Sequence, residues 1–535
     1  GVKCFCFYAI MLMSWLLAVA LFGLPLASST PPYLPTWESL NSRLLPAWYK
    51  QAKIGAFITA GPFNAAAYAY PADQPCMTYM NCTCKPAEIP SCYYTLPSFL
   101  GEWYCDSGPT HEALQKHWGK KYSYQDFVQG WHLKEYNPKN WAEQLREAGF
   151  RYAFITAKYA DGFANYNSSI RAYNSIQMGP RRDVVGEFIN EMRGAGLPAG
   201  LYHSMDEGRS FADHPPHCGW GCSEGIADYR CTSTDNFTEY VDSILQPMMR
   251  ELVERYDPQI FWSDLGAGHQ ATDLDSKDFL AWLYNRPGGD KVVTTSRWGK
   301  PCKNSNLDVA GQRCGDFTPG EAHPDKAPVS GDGLYYENGF GVAWASWAYN
   351  AAAPPESYRT GRELMSYIIP TIAGGSNVAL GFGPDADGRL PEVYMKPLRE
   401  MGRWLAGHGK CIYSPDKWVQ QSERVLANTT ELAVYYTNSS DDFVCALTSA
   451  SARSLQSSTL SLHTPICTSN TSAALLDANG KEIPLSWKFG TGDAGIILLL
   501  PPHLRDDLAF AIVLRQLGNT PVMRSHLLGL TIKIK

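Results

Sequence analysis

The order of apolar and polar residues gives the chain two textures. From about Trp37 to Tyr413, short apolar runs alternate with stretches whose apolar residues recur at helical spacing. Ile54-Gly55-Ala56-Phe57-Ile58, Tyr152-Ala153-Phe154-Ile155-Thr156, Ala199-Gly200-Leu201-Tyr202, the run from Pro258 to Asp264, and Lys291-Val292-Val293-Thr294-Thr295 read as strands. Trp141 to Gly149, Val184 to Ala195, Val241 to Tyr256 and Phe279 to Tyr284 read as helices. Near-continuous apolar strands belong to parallel sheets covered on both faces. Repeated strand–helix units over this length predict an α/β fold, a (β/α) TIM-like barrel, with a doubly wound open sheet as the alternative. No Gly-x-Gly-x-x-Gly follows a strand, so a dinucleotide site has no support.

Beyond about Pro415 the pattern changes. Leu432 to Tyr436, Phe443 to Leu447, Ile496 to Leu500 and Ala509 to Leu514 are strand-like, separated by Ser, Thr, Asn and Gly. They predict a small C-terminal antiparallel β-sandwich, with Cys445 and Cys467 as a possible staple. The expected division is a leader over 1–29, a barrel over 30–414 with a Cys-rich insertion at about 71–97, and the sandwich over 415–535. Gly518 to Lys535 has no clear place.

The leader reading rests on Lys3, the apolar stretch from Phe5 to Leu26, and the small residues Ala27 and Ser29. The stretch is also long enough for a membrane anchor, but the flanks favour a cleaved signal. The absence of an initiator Met suggests an incomplete start. Fifteen cysteines, with Cys76, Cys82, Cys84, Cys92 and Cys105 crowded together, fit a disulfide-stapled exported chain. Losing Cys4 and Cys6 with the leader leaves thirteen, an odd count that implies a free or intermolecular thiol. Sequons at Asn81, Asn167, Asn236, Asn428, Asn438 and Asn470 agree with export. The expected location is the secretory pathway: secreted, cell-surface or lysosomal.

A net charge of -6, with no long Lys/Arg run, argues against a nucleic-acid partner. Aromatic residues make up 13% of the chain, which suits rings stacked on sugar faces, although core packing uses them too. His214-Pro215-Pro216-His217-Cys218 with Cys222 and Cys231 has zinc-like spacing, but disulfides are the better reading in an exported chain. No Gly-x-Ser-x-Gly, His-Glu-x-x-His or P-loop is present.

Asp264 is the sharpest chemical candidate. An apolar run stops there at a carboxylate, at the strand end where barrel enzymes place catalytic groups. The competing reading is a helix N-cap in the following loop. Retaining glycoside hydrolysis needs a second carboxyl roughly 5–5.5 Å away. Asp316 and Glu321, in a later Pro/Gly loop, are the candidates.

Several motifs in order resemble the α-L-fucosidases of glycoside hydrolase family 29. They are Trp48 to Gly55, Glu102-Trp103-Tyr104, Lys158 with Asp161-Gly162-Phe163, and Gly179 to Glu187. Further along come Gly200-Leu201-Tyr202 with Ser204, Phe279 to Asn285, Arg297-Trp298-Gly299, and Gly383 to Gly388. The resemblance implies a (β/α) barrel with a C-terminal β-sandwich, and a glycan substrate without metal or organic cofactor. It makes Asp264 the nucleophile, Glu321 the acid/base and Trp262 a sugar contact. Arg297 and Glu102 would line the sugar pocket, as would Tyr202 or His203, whose register is ambiguous. Tyr159, Thr59 and Trp347 are further pocket candidates. The chain departs from the family at Thr59 and Ala60, where the family has His-Trp. It departs again at Tyr159-Ala160, in place of His-His, and at Thr295-Ser296, in place of Asn-Asp.

The expected function is therefore a retaining exo-glycosidase that releases terminal fucose or a related sugar from glycoconjugates. The alternative is a catalytically weakened relative acting as a carbohydrate-binding or structural extracellular glycoprotein. A homo-oligomer is possible.

Overall fold

The computed structural model describes residues 33–67, 116–119, 124–205, 237–264, 266, 269–300, 302, 314–320, 330, 334–344, 346–351, 353–413, 416–427, 430–439, 443–448, 459–490, 495–501 and 509–518. The leader, the Cys-rich insertion, the His214–Cys231 cluster, Glu102 and Glu321 lie outside these residues.

Eight strands form one sheet: β1 (Ile54–Ile58), β2 (Tyr152–Lys158), β3 (Ala199–Ser204), β4 (Ile260–Asp264), β5 (Val293–Thr294), β6 (Thr318–Gly320), β7 (Tyr336–Gly341) and β8 (Asn377–Phe382). Their order is β5-β4-β3-β2-β1-β8-β7-β6, and every pairing is parallel. The two ends of the sheet meet. Thr295 and Phe317 form a parallel bridge next to β5 and β6, and the Asp316 amide donates to the Thr294 carbonyl at 3.0 Å. The sheet is thus a closed barrel.

Helices Pro138–Glu147, Val184–Gly194, Gln246–Tyr256, Ser276–Tyr284, Gly361–Ala373 and Glu392–His408 supply the outer layer. Burial of every residue in β1 and β2 follows from cover on both faces. Two expected boundaries shift. The helix expected over Val241–Tyr256 begins as a π segment, Val241–Leu245, and turns α-helical at Gln246. Pro247 has no N–H to give the preceding turn, which is where a π bulge costs least. The strand expected from Lys291 shortens to Val293–Thr294 because Gly289–Lys291 is a 3-10 turn.

Side chains alternate across each strand, so residues two apart share the lumen. Phe57, Phe154, Tyr202 and Trp262 meet there as nearly parallel rings. Phe57 lies 4.9 Å from Phe154 and 5.2 Å from Tyr202, and Trp262 lies 5.5 Å from Tyr202. Small residues make room for this filling. A Cβ on Gly55 would sit 2.1 Å from the Tyr152 ring, and one on Gly381 would sit 2.1 Å from the Trp347 ring.

The C-terminal part has a six-stranded sheet, β14-β13-β17-β11-β10-β9, and a three-stranded sheet, β12-β16-β15. Their ranges are β9 (Asp416–Ala427), β10 (Thr430–Ser439), β11 (Phe443–Thr448), β12 (Thr459–Leu462), β13 (Ser472–Leu476), β14 (Glu482–Pro484), β15 (Trp487–Phe489), β16 (Ile496–Leu499) and β17 (Phe510–Arg515). The alternation along β11 and β17 explains how this part attaches. Phe443, Cys445, Leu447, Ala511 and Val513 pack into the barrel's core. Val444, Ala446, Phe510, Ile512 and Leu514 face the sandwich's own core. Cys445 therefore points at the barrel and pairs with Cys411, not with Cys467 as expected. Cys467 packs against the other face of the sheet and has no disulfide partner among the described residues. Among the described residues, no helix is long and apolar enough to cross a membrane.

Glu482 reinforces the same junction. It contacts Lys410 at 2.5 Å, just past the last barrel helix, and Arg515 at 2.7 Å on β17. Hydrogen bonding from Arg515, then Lys410, lowers its carboxyl from 4.5 to about 2. A lowered folded pKa contributes stability that is complete above the unfolded value and is lost as pH falls through the folded one. Wild-type melting temperature is therefore expected to lose this contribution between about pH 4.5 and about pH 2. Glu482→Gln removes that part of the decline, which melting curves across this range will register.

Candidate active site

Asp264 is the last residue of β4, at the C-terminal mouth of the barrel. Both carboxylate oxygens are held. The Arg297 guanidinium donates to Oδ1 at 2.6 Å, and the Tyr202 hydroxyl donates to Oδ2 at 2.7 Å. Arg297 follows β5 and Tyr202 lies on β3, so the strands on either side of β4 each send one donor. The Arg297 guanidinium also lies 5.2 Å over the Trp262 ring. A charged donor against a largely buried carboxylate is stronger than a neutral one, and the Asp264 side chain is only 12% exposed. No helix N-cap role is needed to account for Asp264.

The turn carrying Arg297 is fixed by Thr295. The Thr295 and Ser263 hydroxyls lie 2.8 Å apart, Thr295 Oγ1 donates to the Ser263 carbonyl at 3.0 Å, and the Arg297 amide reaches Thr295 Oγ1 at 3.4 Å. The departure at Thr295 therefore ties β4 to the start of the Arg297 loop.

The register ambiguity at Tyr202 and His203 resolves in favour of Tyr202. Consecutive strand residues face opposite sides, so while Tyr202 faces Asp264, His203 faces the outer layer, 6.1 Å from Phe261. His203 is fully buried, and neither ring nitrogen has a hydrogen-bond partner among the described residues. Burial, reinforced by the charges of Lys158 and Arg171, pushes its pKa well below the usual imidazole value. His203 is a neutral packing residue, and its expected pocket role is withdrawn.

Tyr159 stacks on Tyr202 with centroids 5.4 Å apart and planes 19° apart, and Phe63 meets its edge. It extends the lumen stack upward beside Asp264. Thr59 is fully buried, and its hydroxyl has no partner among the described residues. The neighbouring Ala60 carbonyl is held by Asn165 Nδ2 at 2.7 Å. Trp347 is half-buried against Gly339 and Gly381, 5.9 Å from Phe57. Asp264, Arg297, Tyr202, Trp262, Tyr159 and Trp347 thus converge on one mouth.

Asp316 has a different task. It accepts from Arg43 at 2.6 Å and from the Thr294 amide at 2.9 Å, and Arg43 also binds the Gly289 and Val292 carbonyls. This buried pair clamps the seam between β5 and β6. A residue missed in the sequence is Glu337 on β7. It is a buried carboxylate accepting from Tyr49 at 2.7 Å, from Trp262 Nε1 at 2.9 Å, and from Tyr152. Burial raises its pKa, against those three hydrogen bonds. Its strand reads Tyr-Glu-Asn-Gly-Phe-Gly, with no apolar run to mark it.

A closed parallel barrel with a braced carboxylate at a strand end and aromatic walls defines a barrel enzyme. A family model described as alpha-L-fucosidase matches residues 22–410, so the chain belongs to the alpha-L-fucosidase family and is a glycoside hydrolase. The plasma alpha-L-fucosidase of Homo sapiens is 30% identical over 423 residues, 77% of this chain and 77% of that protein. The alpha-L-fucosidase of Branchiostoma floridae is 29% identical over 512 residues, 93% of this chain and 98% of that protein. The fold is that of the Thermotoga maritima alpha-fucosidase crystallised with a mechanism-based inhibitor. The TM-score is 0.70 at 23% identity, covering 90% of this chain and 100% of that one.

Asp316→Ala strands the Arg43 charge in the seam and is expected to cost about 3–5 kcal/mol of stability. Denaturation curves will record that loss, with the KM of the folded enzyme unchanged. A variant with wild-type stability and no turnover would return Asp316 to the chemistry.

Proposed function

We propose that this protein is a retaining exo-α-L-fucosidase that releases terminal fucose from glycoconjugates. The observation that carries this reading is the bracing of Asp264, at the end of β4, between Arg297 and Tyr202. In the first step an Asp264 oxygen bonds to the anomeric carbon as the glycosidic C–O bond breaks. Glu321 gives its proton to the departing oxygen. In the second step Glu321 takes a proton from water, the water oxygen bonds to the anomeric carbon, and the Asp264 ester bond breaks. Two inversions retain the anomeric configuration. Trp262, Tyr202, Tyr159, Thr59 and Trp347 wall the sugar site, and the family resemblance assigns Glu102, outside the described residues, a sugar-binding role. The catalytic unit spans about 30–414 and the sandwich 415–535.

The family's placement and the apolar stretch from Phe5 to Leu26 support passage through the secretory pathway. We extend the proposal to N-glycans at Asn81, Asn167, Asn236, Asn428, Asn438 and Asn470, of which Asn167, Asn438 and Asn470 are described and exposed. Endoglycosidase treatment of secreted protein is expected to lower its mass, and an unchanged mass rejects the glycans.

One observation favours the second reading, a weakened relative that binds sugar without cleaving it. The Tyr159 ring lies flat on Tyr202, with only 6% of its surface exposed, where the family has a histidine. Turnover separates the two. The wild type is expected to cleave an aryl α-L-fucoside in preference to aryl α- and β-galactosides. Asp264→Gly should fall on the order of 10³-fold or more, with partial recovery in azide, which fills the missing nucleophile's place. A well-folded wild type that cleaves none of the three leaves the binding reading.

A further inference from the structure

We propose that Glu337 is a positioning residue for the nucleophile, acting through Trp262. The kinetic part of this inference rests on the fucosidase reading above.

Glu337 is 1% exposed, and burial plus three hydrogen bonds dominate its ionisation, with no cation among them. A buried carboxylate so placed is costly. Its oxygens are divided between two tasks. Oε2 accepts from the Tyr49 and Tyr152 phenols at the base of the barrel, while Oε1 accepts from the Trp262 indole at 2.9 Å. The strands carrying the second bond, β4 and β7, are not neighbours in the sheet, so it crosses the lumen.

Trp262 needs such a bond because of how it is packed. Its ring lies between 8° and 25° from the planes of Phe57, Phe154 and Tyr202. Stacking sets the tilt and height of a ring, but barely resists sliding within its plane. A hydrogen bond at the ring's edge fixes that remaining freedom. The Arg297 guanidinium lies 5.2 Å over the fixed ring and grips Asp264 Oδ1 at 2.6 Å. Placement thus passes from Glu337 to Trp262, then to Arg297 and Asp264.

The indole N–H donates only, whereas a phenol can donate or accept. Glu337→Gln can therefore keep its oxygen on Trp262 and turn its amide N–H groups to the two phenols. Expected kcat/KM for this variant lies within about twofold of wild type. The triple variant Tyr49→Phe/Tyr152→Phe/Glu337→Leu removes the acceptor and leaves no stranded phenol. Relative to Tyr49→Phe/Tyr152→Phe, its kcat is expected to fall about tenfold or more, because a bond that orders the site is lost. A triple variant with the kcat of its double-variant control overturns the proposal. So does a Glu337→Gln loss as large as that of the triple. Should the triple variant not fold, Trp262→Phe keeps a ring in the stack without the N–H, and a wild-type kcat there also overturns the proposal. If the wild type cleaves no aryl glycoside, the fucosidase reading fails, and crystal structures decide this inference instead. An indole in place in Glu337→Gln but displaced in the triple variant supports it. An indole in place in both overturns it, and where the triple variant does not fold, an indole displaced in Glu337→Gln overturns it.

Discussion

The grip on Asp264 is the constraint around which the barrel mouth is built. A carboxylate at a strand end, largely removed from water, must have both oxygens satisfied. Here one meets a cation and the other a phenol, and each donor comes from a strand beside its own. Two strands must therefore hold their register against β4 to better than a side chain's length. The hydroxyl contacts between Thr295 and Ser263 do this on one side. On the other, direct pairing of Ser204 with Asp264 fixes β3. The Arg43–Asp316 clamp keeps the seam closed, so that the β5 end carrying Arg297 has a fixed base.

The same arrangement explains why the lumen is aromatic rather than aliphatic. Broad flat rings fill a barrel interior with few side chains, and they transmit position because each ring rests on the next. Phe154, Phe57, Trp262, Tyr202 and Tyr159 form such a column, with its polar edges at Glu337 and Asp264. Glycines at 55 and 381 are the cost of admitting rings this large.

Much of this was legible in the residue pattern. β1 to β4 show as apolar runs because helices cover their outer faces while rings or small residues fill the lumen. Asp264 stands out because a charge ends such a run. β6 and β7 escape notice for a physical reason, whereas β8 is a buried apolar run like the first four strands. β6 is three residues containing a proline, and β7 has Glu337 and two glycines on its lumen face and the polar Asn338 on its outer face, so it shows no hydrophobic stripe. Glu337 cannot be found from spacing, since its partners lie at positions 49, 152 and 262. The Cys445 pairing failed for a related reason. Strand residues look alike in one dimension, and only the three-dimensional sheet reveals that odd positions of β11 face the barrel and even positions the sandwich. Asp316 reads in the sequence as a candidate second carboxyl because the arginine it clamps, Arg43, lies far away along the chain.

On the proposed reading, replacing the family's histidines changes how the sugar is told apart, not how it is cleaved. A site built from hydroxyl donors rejects a wrong sugar strongly, because an unmatched polar group is left buried. A ring such as Tyr159 rejects by shape, and shape in an apolar pocket discriminates by far less per group. Thr59 shows the consequence: its buried hydroxyl has no partner among the described residues, so a ligand that bonds it there relieves a cost already present. Fucose offers both kinds of surface, hydroxyls on part of its ring and a methyl group on another. A pocket that pairs a braced carboxylate with stacked rings and, at Thr59, a buried hydroxyl without a partner among the described residues leans on the apolar side of such a sugar. The reacting centre stays strict under that trade, because the position of Asp264 is set by Arg297, Tyr202 and the Phe57, Phe154 and Trp262 rings, none of which stands at a replaced histidine.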